Sequence, residues 1–319
     1  SSRDSRGPMI TILLENLWEL GELLAVGVGL SLVEHWIPIT PMKPFFSRRE
    51  GWQDLFWMVF TRYASLVAGL GFGALKYVVL IFFWKYIAGF LASLFWQGVF
   101  PMLAHFGVTV ADINKISILP IHFENPVVHF LVLFLTVDLL YYGLHLFTHR
   151  SIYWRVHMLH HSAPEIDWLT GQRGYWLEDF VINVITTIPF AFFYTSTRDL
   201  EIFAALEFTS AFLNHANLNL PFGILHRWIA NPRAHRWHHA DVNHHRGGQN
   251  FGNYTLIWDH LFGTFYYPAD GSVPLTYGLA FRAPYPQGIW GRLKEPLVFF
   301  YKRLRLWLVS ILSKPNHSQ

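Results

Sequence analysis

Cysteine is absent from the chain, which excludes disulfide scaffolds, thiolate zinc sites, cysteine-ligated iron–sulfur clusters and cysteine nucleophiles together. Charge is scarce as well. Asp, Glu, Lys and Arg make up 14% of the 319 residues, against about 25% in a typical globular protein. The formal net charge is +3, too small to point to nucleic acid as a partner. No HExxH run occurs, so the zincin arrangement is missing, and no flavin, haem or iron–sulfur motif is present. In contrast, 52% of residues are hydrophobic and 18% aromatic, the mean hydropathy is +0.26, and there are 18 histidines. So little polar surface does not cover a water-soluble fold of this size, and a membrane-embedded protein is expected.

The expected fold class is all-α: a polytopic integral membrane helical bundle with a cytoplasmic, histidine-rich metal-binding cap. Met9 opens the apolar pattern and is a candidate natural start. Glu15, Glu19 and Glu22 argue against a cleavable signal. Residues 10–37 read as a membrane-associated helix. Residues 55–100 are long and apolar enough for two spans at about 20 residues each. A loop with Pro101, Pro120 and Pro126 precedes a third segment, Val127–Phe147, and 180–194 and 202–213 suggest a hairpin of shorter helices. Three regions are expected: membrane helices at 1–125, a catalytic domain at 126–266, and a tail at 267–319. The tail carries Lys294, Lys302, Arg303 and Arg305 among Leu, Phe and Trp, as a basic interfacial helix does. Arg150, Arg155, Arg173, Arg227, Arg233, Arg236 and Arg246 accompany the histidine-rich stretches, which places those on the cytoplasmic side of a bacterial inner membrane or endoplasmic reticulum. Trp154, Trp168, Trp176, Trp237 and Trp258 are expected as interfacial anchors.

The histidines fall into three runs: His145-xxx-His149, His157-xx-His160-His161 and His235-xx-His238-His239. On a helix, positions i and i+4 share a face, so each run offers imidazoles to a common centre. Eight such donors exceed one closed zinc site of four ligands. Imidazole suits Zn, Cu, Fe and Ni, so donor type leaves two irons and two zincs both open. Asp138 lies two helical turns before His145 and is a candidate for orienting a ligand's second ring N–H. Glu178, five residues after Arg173, is a candidate catalytic carboxylate and equally a partner for that arginine. Asp259 is placed for a similar orienting contact. His244 and His245 fall in a polar loop, and His35, His105, His122, His129 and His317 read as interface residues.

Asp138-xx-Tyr141-Tyr142-xx-His145-xxx-His149, the two HxxHH runs, Asn250-Phe251-Gly252 and Trp258-Asp259-xxx-Gly263-Thr-Phe together resemble the fatty acid hydroxylase/sterol desaturase superfamily of membrane di-iron enzymes. Loop details, including Thr170-xx-Arg173-xxxx-Glu178, are most similar to bacterial sterol desaturase-like proteins and alkylglycerol monooxygenase. Tyr175 stands where that pattern often has histidine. The likeness covers residues 126–266. It implies a further ligand on the helix before the last run, which His215 matches. Some relatives carry another histidine four residues later, where this chain has Asn219, leaving His226 as a candidate to complete the shell.

The resemblance also implies two Fe ions, with O2 as co-substrate and zinc able to replace iron in a purified sample. It implies a membrane lipid substrate and a separate electron donor: a cytochrome, a ferredoxin with its reductase, or a pterin. Arg227, Arg233 and Arg236 are candidates for docking an acidic carrier. Hydroxylation of an alkyl, acyl or sterol chain is the leading expectation, and desaturation from the same site is its nearest rival. A zinc-dependent membrane hydrolase is the rival from another class. A metal transporter fits less well, because most of these histidines follow apolar segments and do not sit at the bilayer midplane.

Overall fold

The computed structural model describes residues 8–43, 47–48, 50–61, 63–64, 121–240, 248–279 and 285–312. Helices dominate them. Named strands are absent among the described residues, where pairing is confined to isolated bridges such as Pro38 with Leu218 and Ile229 with Thr255. Helix α1 runs Pro8–Trp36, α2 Pro126–Arg150, α3 Trp154–His157, α4 Trp176–Thr186 and α5 Ile188–Phe192. These are followed by α6 Thr197–Leu213, α7 Pro232–His238, α8 Ile257–Phe262 and α9 Ile289–Leu312. Short 3-10 turns cover His160–Ser162, Thr170–Gln172 and Gly223–Arg227.

Local chemistry sets the helix starts. Asn125 caps α2, its side chain accepting from Val127 N and Val128 N, with Pro126 pre-set for the first turn. Asn231 and Pro232 repeat the device at α7, where Asn231 accepts from Arg233 N and Ala234 N. Ser196 and Asp199 form a capping box on α6. Gly263, at φ 72°, ends α8 in the left-handed region.

Among the described residues one helix, Pro126–Arg150, is long and apolar enough to cross a membrane. Most of the 55–100 stretch, expected to hold two spans, lies outside the described residues, as does the polar loop with His244 and His245. Residues 180–213 form not two but three helices, because Pro189 restarts the chain after Thr187.

Three apolar clusters surround the histidine region. Leu133 and Val137 of α2 pack with Phe193, Phe203 and Tyr254. Trp57, Val156, Leu159 and Tyr175 meet Leu293 and Phe300 of α9. Met58, Trp168, Leu169 and Phe212 close the third. Trp168 was expected at an interface, yet it is 4% exposed. Its indole N–H donates to Ser31 at 2.7 Å, and this satisfied donor lets the ring serve as core.

Candidate metal centre

Nine imidazoles converge in two groups. One holds His145, His149, His157, His161 and His238, and the other His160, His215, His235 and His239. Within each group one ligating atom per residue lies within 4.8 Å of all the others. The groups adjoin: the rings of His161 and His239 stack at 4.3 Å, and those of His157 and His160 sit 5.2 Å apart.

Each HxxHH run divides in the same way. Its outer pair, at i and i+4, shares one group, and the histidine at i+3 goes to the other. His157 and His161 have Nε2 atoms 3.1 Å apart, as do His235 and His239. His160 instead meets His215 at 3.1 Å, and His238 meets His161 at 3.0 Å. Successive helical residues diverge by about 100°, so adjacent histidines cannot aim at one point.

Ring orientation is fixed from behind. Nδ1 of His145 donates to Phe251 O, that of His160 to Arg173 O and that of His238 to Gln249 O, each at 2.9 Å. A carbonyl only accepts, so these rings carry their hydrogen on Nδ1 and present a lone pair at Nε2. His157 Nδ1 makes a short hydrogen bond to Glu178 Oε1. Burial keeps the imidazoles outside α2 neutral, pushing His157 down to about 3 and His160 to about 4. Burial also pushes the Glu178 carboxyl up to about 7.

This donor set fits metal ions. His215 Nε2 lies 2.9–3.1 Å from the Nε2 atoms of His160, His235 and His239, and one N–H cannot serve three acceptors. Lone pairs so crowded repel unless a cation lies among them. His145 Nε2 and His149 Nε2 are buried without a hydrogen-bond partner. Metal–nitrogen bonds of about 2.1 Å meeting at a right angle separate the nitrogens by about 3.0 Å, against about 3.4 Å in a tetrahedron. The observed 2.9–3.1 Å edges are within reach of nitrogens that share one ion.

The three carboxylates differ in what they hold. Asp138 touches no histidine: it accepts from Tyr254 N at 3.1 Å and Thr255 Oγ1 at 2.5 Å, pinning the turn after Asn253 to α2. Its side chain therefore orients backbone and not an imidazole. Asp259 accepts from Phe251 N and Gly252 N at 2.8 Å each, so it supports His145 through the Phe251 carbonyl. Glu178 does not pair with Arg173. The fully buried Arg173 donates to Asp54 Oδ1 at 2.6 Å through Nε and to Glu50 and Ser162 at 2.9 Å. Glu178 is left to His157.

Neither candidate for completing the shell reaches it. Asn219 accepts from Arg233 at 3.0 Å, and His226 bonds Gly223 O and packs on Tyr267. Arg236 is fully buried, donating to Ile166 O and Asn217 Oδ1, so it is removed from any docking face with Arg227 and Arg233. Sequence reasoning missed Gly171. A Cβ there would lie 2.7 Å from His215 Nδ1 and 2.8 Å from Ala211 O, so only glycine lets the 170–172 turn back the ring.

The sequence model of the fatty acid hydroxylase family matches residues 130–264. Ornithine lipid hydroxylase OlsE of Rhizobium tropici is 30% identical over 151 residues, covering 46% of this chain and 43% of that protein. Alkylglycerol monooxygenase of Danio rerio is 31% identical over 184 residues, covering 56% and 39%. The enzyme of that name from Caenorhabditis elegans is 29% identical over 196 residues, covering 60% and 37%. The chain thus spans less than half the length of these relatives. No solved structure matches it.

Proposed function

Because residues 130–264 belong to the fatty acid hydroxylase family, we propose that the chain is an O2-dependent di-iron monooxygenase that hydroxylates a membrane lipid. The observation that carries this reading is the convergence of nine imidazoles in two adjoining groups. Five donors in one group exceed a closed tetrahedral zinc site. The names of the relatives also point to oxygen insertion into lipids.

Two irons held by these groups would supply the O2 chemistry that breaks an unactivated C–H bond. Overall, C–H, O2, two electrons and two protons give C–OH and water. The chain has no electron-carrying motif, so a cytochrome, ferredoxin with its reductase, or pterin is part of the proposal. The protein's own task is positioning. Three carbonyls and Glu178 hold rings with Nε2 inward. Helix α2, the candidate span, places the first histidine pair at the end of an apolar rod, where a bilayer lipid arrives from the cytoplasmic rim.

The test is turnover of a membrane lipid extract by the iron-loaded chain with a chemical reductant under 18O2. A lipid product carrying the label supports the proposal. An unlabelled alkene assigns desaturation, and product formed without O2 assigns hydrolysis. Either overturns it.

A further inference from the structure

Two cavities meet behind α2 and α4, and they differ in chemistry. The smaller, about 190 Å³, is walled by Leu144, Phe147, Val156, Leu177, Val181 and Ile185, and it contains no histidine. Phe147 and Tyr153 are exposed at its rim, so it opens to the outside of the helix pair. The larger, about 470 Å³, is bounded by His145, His157, His160, His215 and His235. Its remaining wall includes Tyr141, Asn183, Glu207 and Asn253, and Tyr141 donates to Glu207 at 2.6 Å. Leu144, Thr148, Glu178 and Ile182 belong to both walls, so the two chambers adjoin across these side chains.

We infer that the lipid binds in two parts: its hydrocarbon chain fills the apolar chamber walled by Val181 and Ile185, and its polar end occupies the histidine-lined chamber. This rests on the monooxygenase reading and deepens it. An alkyl chain gains by leaving water for the apolar chamber, where Thr148 and Glu178 at the shared wall are already bonded to His145 O and His157. The larger chamber offers hydroxyl, amide and carboxylate partners, which suit a head group, whereas a methylene chain there would strip their water without replacing the hydrogen bonds. Only that chamber touches ligating histidines. The C–H bond that becomes C–OH is therefore in the polar part of the lipid or beside it, and carbons far along the chain stay out of reach. Val181 and Ile185 lie four residues apart on α4 and set the depth available to the chain.

The test has a binding arm and a product arm, both on the full chain. In the first, primary alkanols of increasing chain length displace a fluorescent alkyl probe from the metal-free protein. Val181→Trp or Ile185→Trp should weaken the long members by about tenfold and spare the short ones. Ile185→Ala, which removes bulk, should shift preference to longer chains and guards against a misfolded tryptophan variant. Equal affinities across wild type and Ile185→Ala would overturn the assignment of the chamber. In the second arm, fragmentation mass spectrometry locates the new hydroxyl. Oxygen at mid-chain or at the terminal methyl would overturn the two-part pose even with monooxygenase activity intact. If no oxygenated product forms with any lipid, the reaction assignment fails, and the binding arm still decides the chamber.

Discussion

His160 and His161 are sequence neighbours that serve different groups: His160 Nε2 lies 3.1 Å from His215 Nε2, and His161 Nε2 lies 3.0 Å from His238 Nε2. The exchange makes the two HxxHH runs interdependent, since each spans both groups. Any variant in one run is expected to act on the group its ring faces and not on its sequence neighbour.

Metal content reads this directly. His160→Ala and His239→Ala remove donors from the same group, so either alone, and the two combined, should leave about half of the wild-type iron. His160→Ala with His161→Ala should strip nearly all of it. Activity should be lost in every case, while His317→Ala should change neither quantity. Inductively coupled plasma mass spectrometry after dialysis provides the measure, and equal metal in the two double variants would contradict the grouping.

Glu178→Gln keeps an acceptor near His157 Nδ1 but loses the charge. Outer partners of this kind are worth about 10–100-fold in metal affinity. Competitive chelator titration should record a loss in that range with the helical circular dichroism unchanged. Asp138→Asn should disturb stability more than affinity, because its carboxylate holds the 254–255 turn and no ligand.

Arg173 combines two tasks that substitution separates. Its carbonyl orients His160, and its guanidinium neutralises Asp54 within the core. Arg173→Met keeps the carbonyl and strands a buried carboxylate, an event worth about 3–5 kcal/mol. Denaturant titration should register a loss of that size, while iron content below the transition stays near wild type. An unchanged midpoint would mean that the pair contributes nothing.

The end of α9 exposes Leu304, Leu306, Trp307, Leu308, Val309 and Ile311, with Lys302 and Arg303 just before them and Arg305 between the first two. Such an end suits a bilayer with anionic head groups, each basic residue contributing about 1 kcal/mol near the surface. Since the chain has no cysteine, Leu308→Cys gives a single labelling site. An environment-sensitive dye there should shift to the blue in anionic vesicles and be quenched by brominated lipid, with weaker changes in zwitterionic ones. Emission independent of lipid would refute insertion.

Much of this protein is local and was therefore legible in the amino-acid order. Asn125-Pro126 and Asn231-Pro232 mark two helix starts, and the apolar run of α2 marks the candidate span. The spacings of His145 with His149, His157 with His161 and His235 with His239 fix which rings share a face, because a helix returns to the same side after about four residues. His215 was reached through the family resemblance alone. The roles of Asp138 and Glu178 were not separable by spacing, since both sit at helical positions compatible with a ligand contact.

The sequence by itself determined the donors, their pairing within each run, and the apolar setting that keeps them neutral. Tertiary structure alone decided the crossing of His160 and His238 between groups, the carbonyls behind the rings, and the division of the cavity into apolar and polar chambers. The reason is physical. Periodicity governs contacts within one helix, but contacts between α2, α4 and α7 depend on how distant segments pack. Backbone carbonyls such as those of Arg173, Gln249 and Phe251 carry no residue identity to read.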